Sequence, residues 1–247
     1  MELKDKVAII TGSTGSLGGA IARALAQKGC KCACHYYTNE KRAGELKEEV
    51  ELLGAEALTV QADLTKPEQV DHLVGKASEL GTPQILINSA AVFSRHSLQD
   101  TDFEKAREFF DLNVTAAILT GKGFSQLLRD SFGNTDSVVG KIINVSGVAA
   151  VKPWAGYVAY SASKAGLVGA TKAMAKELAP SICVNSISPG IVNWPKDFND
   201  GQKNRQLSLI PAGRIAKPEE VTHAIVFLLE NDYITGQLLN VDGGRCI

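Results

Sequence analysis

An α/β fold, a parallel sheet with helices covering both faces, is what this 247-residue sequence predicts. Three observations carry that expectation. Seven short apolar runs recur along the chain, amphipathic stretches of helical period lie between them, and glycine or proline marks several of the changeovers. No Pro/Ser-rich or charged linker divides the chain, so residues 1–247 are expected to form one domain, a length that a single α/β core can reach.

In chain order, VAII (7–10) is a short apolar run that suits a buried strand, and SLGGAIARALAQKG (16–29) is the amphipathic helix after it, closing on glycine. CKCACHY (30–36) is the second strand, and EKRAGELKEEVELLG (40–54) is a second helix that stops at glycine. EALTVQA (56–62) leads into KPEQVDHLVGKASELG (66–81), with proline near its start and glycine at its end, as helix boundaries favour. QILINSA (84–90) precedes one long helix expected over 101–129. GKIINVS (140–146) is the fifth strand, 157–178 the helix after it, and ICVNSIS (182–188) the sixth strand. PEEVTHAIVFLLE (218–230) opens on proline and precedes the last strand, QLLNV (237–241). Between these elements, 130–140 reads as a flexible loop and 193–206 as a polar, mobile flap. The sequence holds no internal repeat.

Charge is balanced, with 26 basic and 27 acidic residues and a net charge of -1. That balance gives no electrostatic footprint for nucleic acid or an anionic membrane, and points to a small neutral-to-anionic substrate or a carrier met through a local patch. The amino terminus is charged from residue 2 and no apolar run approaches the ~18 residues of a membrane span, so a cytoplasmic protein is expected. Of five cysteines, Cys30, Cys32 and Cys34 alternate within one strand and share a face. With His35 they form a conceivable metal set, but strand-alternate thiols rarely close a tetrahedral site, and three small buried hydrophobes are expected instead. No metal is expected.

After VAII comes TGSTGSLGGAIARAL, in which Gly12, Gly15, Gly18 and Gly19 crowd the turn into a helix. Free amides at a helix start, approached closely over glycine, suit a pyrophosphate. Asp63, at the end of the third strand, suits either an adenine amine or the cap of the following helix.

Taken together these motifs resemble, from end to end, a short-chain dehydrogenase/reductase. TGxxxGxG appears as Thr11 to Gly18, with Ser16 at its middle glycine; NNAG appears as Asn88-Ser89-Ala90-Ala91; YxxxK stands at Tyr160 and Lys164; Pro189-Gly190 and VDGG (241–244) follow. The resemblance implies a single Rossmann-type doubly wound domain, seven parallel strands in the order 3-2-1-4-5-6-7, and a homotetramer. It also implies a dinucleotide held by Gly12, Ser13, Thr14, Ser16, Leu17 and Gly18; by Tyr36, Tyr37, Asp63 and Leu64; by Asn88 and Ala90; by Tyr160 and Lys164; and by Pro189, Gly190 and Val192. An acid at the end of the second strand accepts the ribose 2′-hydroxyl of NAD and repels the 2′-phosphate of NADP. Here His35, Tyr36, Tyr37, Thr38 and Asn39 occupy that stretch, with no acid before Glu40, which favours NADP(H).

Carbonyl reduction needs a proton for the oxygen, and a free tyrosine with a pKa near ~10 gives one up more readily beside a cation. Lys164 lies at i+4 from Tyr160 on a helix, on the same face. By resemblance Lys164 also binds the nicotinamide ribose, and Asn113 holds a water that relays protons. Tyr157 with Lys164 matches the wider YxxxxxxK spacing of enoyl-thioester reductases, a secondary alternative. The family's serine, normally thirteen residues before the tyrosine, falls on Gly147; Ser146 is fourteen before it. Strand alternation turns 146 away from 147, so Ser146 is expected to serve only through a bulge at the glycine. Three functions follow from the resemblance. The tail LIPAGRIAKPEEV…VDGG is similar to 3-oxoacyl-carrier-protein reductases, which act on β-keto thioesters, so a small-molecule or carrier-linked carbonyl substrate is expected. Ser16, His35-Tyr36, Phe93 and Trp194-Pro195 are similar to pteridine reductases. The motif departures leave a non-catalytic NADP-binding regulator as a third reading. The oxoacyl reductase is preferred.

Overall fold

The computed structural model describes residues 1–194 and 198–247. Seven strands, β1 (Val7–Ile10), β2 (Lys31–Tyr36), β3 (Ala57–Gln61), β4 (Pro83–Asn88), β5 (Gly140–Val145), β6 (Ile182–Pro189) and β7 (Leu238–Val241), pair in parallel in the order 3-2-1-4-5-6-7. Parallel pairing demands crossovers, and each connection carries a helix or a helix group: α1 (Ser16–Gln27), α2 (Glu40–Leu52), α3 (Pro67–Ala77), α4 (Phe103–Phe110), α5 (Ala116–Phe132), α6 (Val158–Leu178), α7 (Asp200–Leu207) and α8 (Pro218–Glu230).

Strand alternation divides the interior in two. Ala8, Ile10, Cys30, Cys32 and Cys34 pack with Leu25, Leu46 and Ile225 on the α1/α2/α8 side, whereas Ile9, Ala33 and Leu86 pack with Leu73, Phe124 and Ala175 on the α3/α5/α6 side. The three alternating thiols therefore do share one face, and they are buried in aliphatic core; burial pushes the Cys30 and Cys34 thiols up to about 12. The order in which successive strands join the sheet reverses between β1 and β4, and at the carboxyl edge of that switch point the ends of β1, β4, β5 and β6 meet, where doubly wound sheets hold ligands.

Two expected elements differ from the structure. The single helix over 101–129 is broken by a π-helical segment, Asp111–Thr115, between α4 and α5. All but the last residue of α7 lies in the polar stretch 193–206, and the helix begins with a reciprocal capping box: Asn199 accepts from the Gln202 amide, and Gln202 accepts from the Asn199 amide, each at 2.9 Å. Pro195, part of the aromatic-proline pair noted in the sequence, lies outside the described residues. Among the described residues no helix is long and apolar enough to cross a membrane.

Candidate active site

The glycine turn is fastened to β2 by a histidine. The Gly12 amide donates to His35 Nδ1 at 2.9 Å, and His35 Nε2 donates to the Ala62 carbonyl at 2.9 Å, which sets the tautomer as Nε2–H. Ser13 sends both its amide and its hydroxyl to the His35 carbonyl at 2.9 Å. Burial holds His35 below its ordinary pKa, so it is neutral and free to accept from Gly12. Gly12 has φ 64°, and a Cβ there would come within 2.8 Å of Ala90 Cα; a Cβ on Gly18 would come within 2.3 Å of the Gly12 carbonyl. Only glycine fits either position. Gly15 precedes α1 without a side-chain cap, so the first amides of that helix stay open.

Buried polar bonds tie the strand ends together. Thr11 Oγ1 accepts from the Ser89 and Ala90 amides at 2.9 and 3.0 Å. Asn88 donates to Asn144 Oδ1 at 2.9 Å and accepts from Thr120 at 2.8 Å, and Asn144 donates to Thr171 at 2.9 Å, a chain running from α5 through the sheet to α6. Asn113 sits in the π segment and is 1% exposed; it accepts from the Val92 amide at 2.9 Å and donates to the Val92 carbonyl and to Ser163 Oγ at 3.2 and 2.9 Å. Its amide group thus joins the loop after β4 to α6, one hydroxyl away from the Tyr160 carbonyl, to which Ser163 donates at 2.8 Å.

Helix α6 delivers Tyr160 and Lys164 one turn apart. The ammonium of Lys164 lies 6.0 Å from the Tyr160 ring centroid and donates to the Val145 carbonyl at 2.9 Å. Burial pulls Lys164 down to about 8, while burial and then the neighbouring Tyr157 push Tyr160 up to about 12. At neutral pH the pair is therefore a protonated phenol beside an ammonium, a loaded acid with a cation in place for the phenolate it leaves.

The bulge expected to swing Ser146 toward this pair does not form. The Ser146 amide donates to the Ile187 carbonyl at 2.8 Å, so the β5/β6 ladder runs one residue past Val145 and side-chain alternation persists. The Ser146 hydroxyl accordingly donates to the Lys164 carbonyl at 3.0 Å. Gly147 is the residue that faces the tyrosine: a Cβ there would stand 3.4 Å from the Tyr160 hydroxyl.

These groups border a cleft of about 760 Å3 that brings together Gly12, Leu17, Gly18, Ser146, Tyr160, Lys164, Pro189, Gly190 and Val192. Ser13 is buried against β2; Asn88 is buried in the sheet; Thr14 and Ser16 border the turn from outside, and Ala90 lies beside Gly12. Tyr36, Tyr37, Asp63 and Leu64 stand beyond the cleft at the ends of β2 and β3. Asp63 does not cap α3, whose cap position is Lys66; its Oδ1 accepts from the Thr65 amide and hydroxyl at 3.0 and 2.7 Å, which holds its carboxyl below the usual range. Two guanidiniums approach the turn, Arg23 at 3.5 Å and Arg42 at 3.8 Å from where a Gly19 Cβ would be, and both are paired with Glu49, at 2.7 and 2.6 Å. An open helix start, glycines where no Cβ fits and a β2 terminus without an acid suit an adenine dinucleotide with a 2′-phosphate.

Sequence reasoning missed part of one wall of the cleft. Phe93 stacks on Tyr157 at 5.2 Å and meets Tyr160 edge-on at 4.9 Å, and Tyr157 is edge-on to Trp154 at 5.5 Å. Arg245 lies over Trp154, its guanidinium carbon 5.5 Å from the ring centroid. Phe93 carried a sequence signal; Trp154 and Arg245 carried none, because they meet only in the folded chain.

The family described as Enoyl-(Acyl carrier protein) reductase matches residues 12–245. A 3-oxoacyl-(acyl-carrier-protein) reductase of Synechocystis sp. is 34% identical, the alignment covering 98% of this chain and 97% of the relative. A 3beta-hydroxysteroid dehydrogenase 1 of Eggerthella lenta is also 34% identical, over 100% of this chain and 95% of the relative. A short-chain dehydrogenase of Burkholderia cenocepacia, solved in complex with NADP, superposes with a TM-score of 0.90 at 30% identity, with 100% of both chains covered. Likeness of this extent, in sequence and in fold, establishes that the chain belongs to the short-chain dehydrogenase/reductase family of oxidoreductases.

Proposed function

We propose that this protein is an NADPH-dependent carbonyl reductase of the 3-oxoacyl type, in which Tyr160 is the proton donor. One observation carries the reading: the Tyr160 hydroxyl opens onto the cleft opposite the bare α-carbon of Gly147, with the Lys164 ammonium behind its ring and the glycine turn bordering the same cleft. Bound there, NADPH supplies the hydride for the carbonyl carbon. Tyr160 gives its proton to the carbonyl oxygen, and Lys164 stabilises the phenolate and refills it. Asn113 positions α6 through Ser163 and Val92, which keeps Tyr160 and the loop after β4 in register. The 2′-phosphate preference rests on the strand-end residues Tyr36, Tyr37, Thr38 and Asn39, none of them acidic. Relatives acting on 3-oxoacyl carrier proteins support the substrate type, and the reading includes a cytoplasmic homotetramer assembled through α4–α6 and the β7 tail. The experiment is NADPH oxidation with an acetoacetyl thioester, a diketone and dihydrobiopterin; oxidation with the thioester is expected. Turnover of the pterin alone would move the assignment to the pteridine reductases, and no turnover with any carbonyl would leave a non-catalytic binding protein.

A further inference from the structure

The structure assigns the end of the cleft beyond the aromatic wall to an anionic group, and we propose that the substrate is a ketone or aldehyde bearing a carboxylate there. This inference rests on the carbonyl-reductase reading, not on its 3-oxoacyl substrate type, and defines the substrate by its far end. Arg245 lines the cleft yet is 3% exposed. Its Nη1 donates to the Gln206 carbonyl of α7 at 3.2 Å and its Nη2 to the Gln206 side chain, while its buried Nε–H meets no acceptor. Asp242 is the carboxylate whose field reaches it, but both Asp242 oxygens accept from main-chain amides, those of Gly244 and Cys246, at 2.9 Å. The guanidinium is thus held by one amide side chain, one carbonyl and the face of an indole, with no ion-pair partner in contact among the described residues and its Nε–H open.

The surroundings repeat the sign. The charged residues that line the cleft are Arg95, Lys164, Arg205 and Arg245, with no aspartate or glutamate among the described lining residues. Lys164 belongs to the reacting end; Arg95 and Arg205 are exposed and draw an anion toward the cleft, and Arg245 is the buried anchor. Its partners are α7 and Trp154 rather than the glycine turn, so the cofactor's phosphates are not its complement. Trp154 and then Tyr157 connect it to Tyr160, ring to ring. A planar or short apolar body laid along those rings places a carboxylate on Arg245 while its carbonyl faces Tyr160 and Gly147. A plain acyl tail at that end would leave the buried Nε–H without an acceptor, a penalty the carboxylate removes.

The test is calorimetric binding to the whole chain saturated with NADP+, using para-acetylbenzoate and levulinate, each against its methyl ester. Saturation with NADP+ removes the cofactor phosphates as competitors for Arg245. At least one acid is expected to bind about tenfold or more tighter than its ester, the scale of a hydrogen bond to a charged group. Arg245→Gln should erase that ratio and Arg245→Lys keep part of it, whereas a purely structural role would weaken acid and ester alike. Esters binding as well as acids in both pairs, or an acid preference that survives in Arg245→Gln, would overturn the assignment. If the glutamine variant does not fold, the unmodified chain's acid-to-ester ratio decides. NADPH oxidation separates the two readings: acid-selective binding without turnover keeps the anion site and removes the reductase, and turnover indifferent to charge does the reverse.

Discussion

Exchanging the hydroxyl between positions 146 and 147 tests the site's geometry directly. In the structure Ser146 Oγ is 3.0 Å from the Lys164 carbonyl, and the alternation that points it there turns Gly147 toward the tyrosine. Ser146→Ala therefore removes one buried hydrogen bond between neutral groups, about 1 kcal/mol of stability, and lowers the rate of ketone reduction by less than about tenfold. Gly147→Ser places a Cβ 3.4 Å from the Tyr160 hydroxyl, so its Oγ reaches the space where the substrate oxygen would accept from Tyr160. A single donor at a developing oxyanion is worth roughly a hundredfold or more in rate when evolved in place. A newly introduced one, with unoptimised rotamer, is expected to recover about tenfold. Gly147 adopts φ 159° and ψ 160°, at the margin of the conformations reserved for glycine, so the serine also costs stability, on the order of 1 kcal/mol. The assay is kcat/KM from NADPH absorbance for both variants, with melting temperature and NADPH affinity as controls. A hundredfold loss in Ser146→Ala with melting and cofactor affinity unchanged, together with an inert Gly147→Ser, would refute this reasoning.

Five further outcomes are expected. Tyr160→Phe should lower turnover by about a hundredfold or more with NADPH affinity nearly intact, whereas Lys164→Ala should lower both, as titrations of each variant will show. Turnover should also decline as pH rises through about 8, where Lys164 loses its proton. NADPH should raise the melting temperature more than NADH at equal concentration, because ligand linkage reports affinity directly; a larger shift with NADH would overturn the cofactor assignment. Light scattering should give a tetramer, and a monomer at micromolar concentration would contradict that part of the proposal. His35 has a folded pKa below its ordinary 6.5, so its contribution to stability is present above 6.5 and is lost as pH falls toward the folded value; melting temperature and NADPH affinity should fall together below that pH, and His35→Phe should flatten the shared slope.

The fold was legible because the central strands of a parallel sheet are buried on both faces and so read as largely apolar runs, with glycine and proline at the helix ends; the edge strand β7 is only partly buried. The π segment was not, since FEKAREFF-DLNVT-AAILT keeps its helical period straight through, and the bonds of Asn113 to Val92 and Ser163 within that segment are tertiary. Helix α7 hid in a polar stretch, although Asn199 and Gln202 hold the spacing of a capping box.

The candidate site divides along the same line. Tyr160 and Lys164 are one turn apart on one helix, so local spacing carries their meeting, and the glycine turn is equally local. Ser146 depended on a single question that spacing cannot answer, whether the β5/β6 ladder ends before or after residue 146, and the bond to Ile187 ends it after. Arg245 reaches Gln206 across 39 residues and Trp154 across more, with no local pattern to announce either. The relatives show the same division from outside: a 3-oxoacyl reductase and a hydroxysteroid dehydrogenase stand at 34% identity to this one chain. Likeness shared equally with two differently named enzymes cannot choose a substrate. On the anion-site proposal that choice falls to Trp154, Gln206 and Arg245, which converge only in the folded cleft, and it is at Arg245 that the acid-to-ester ratio should change first.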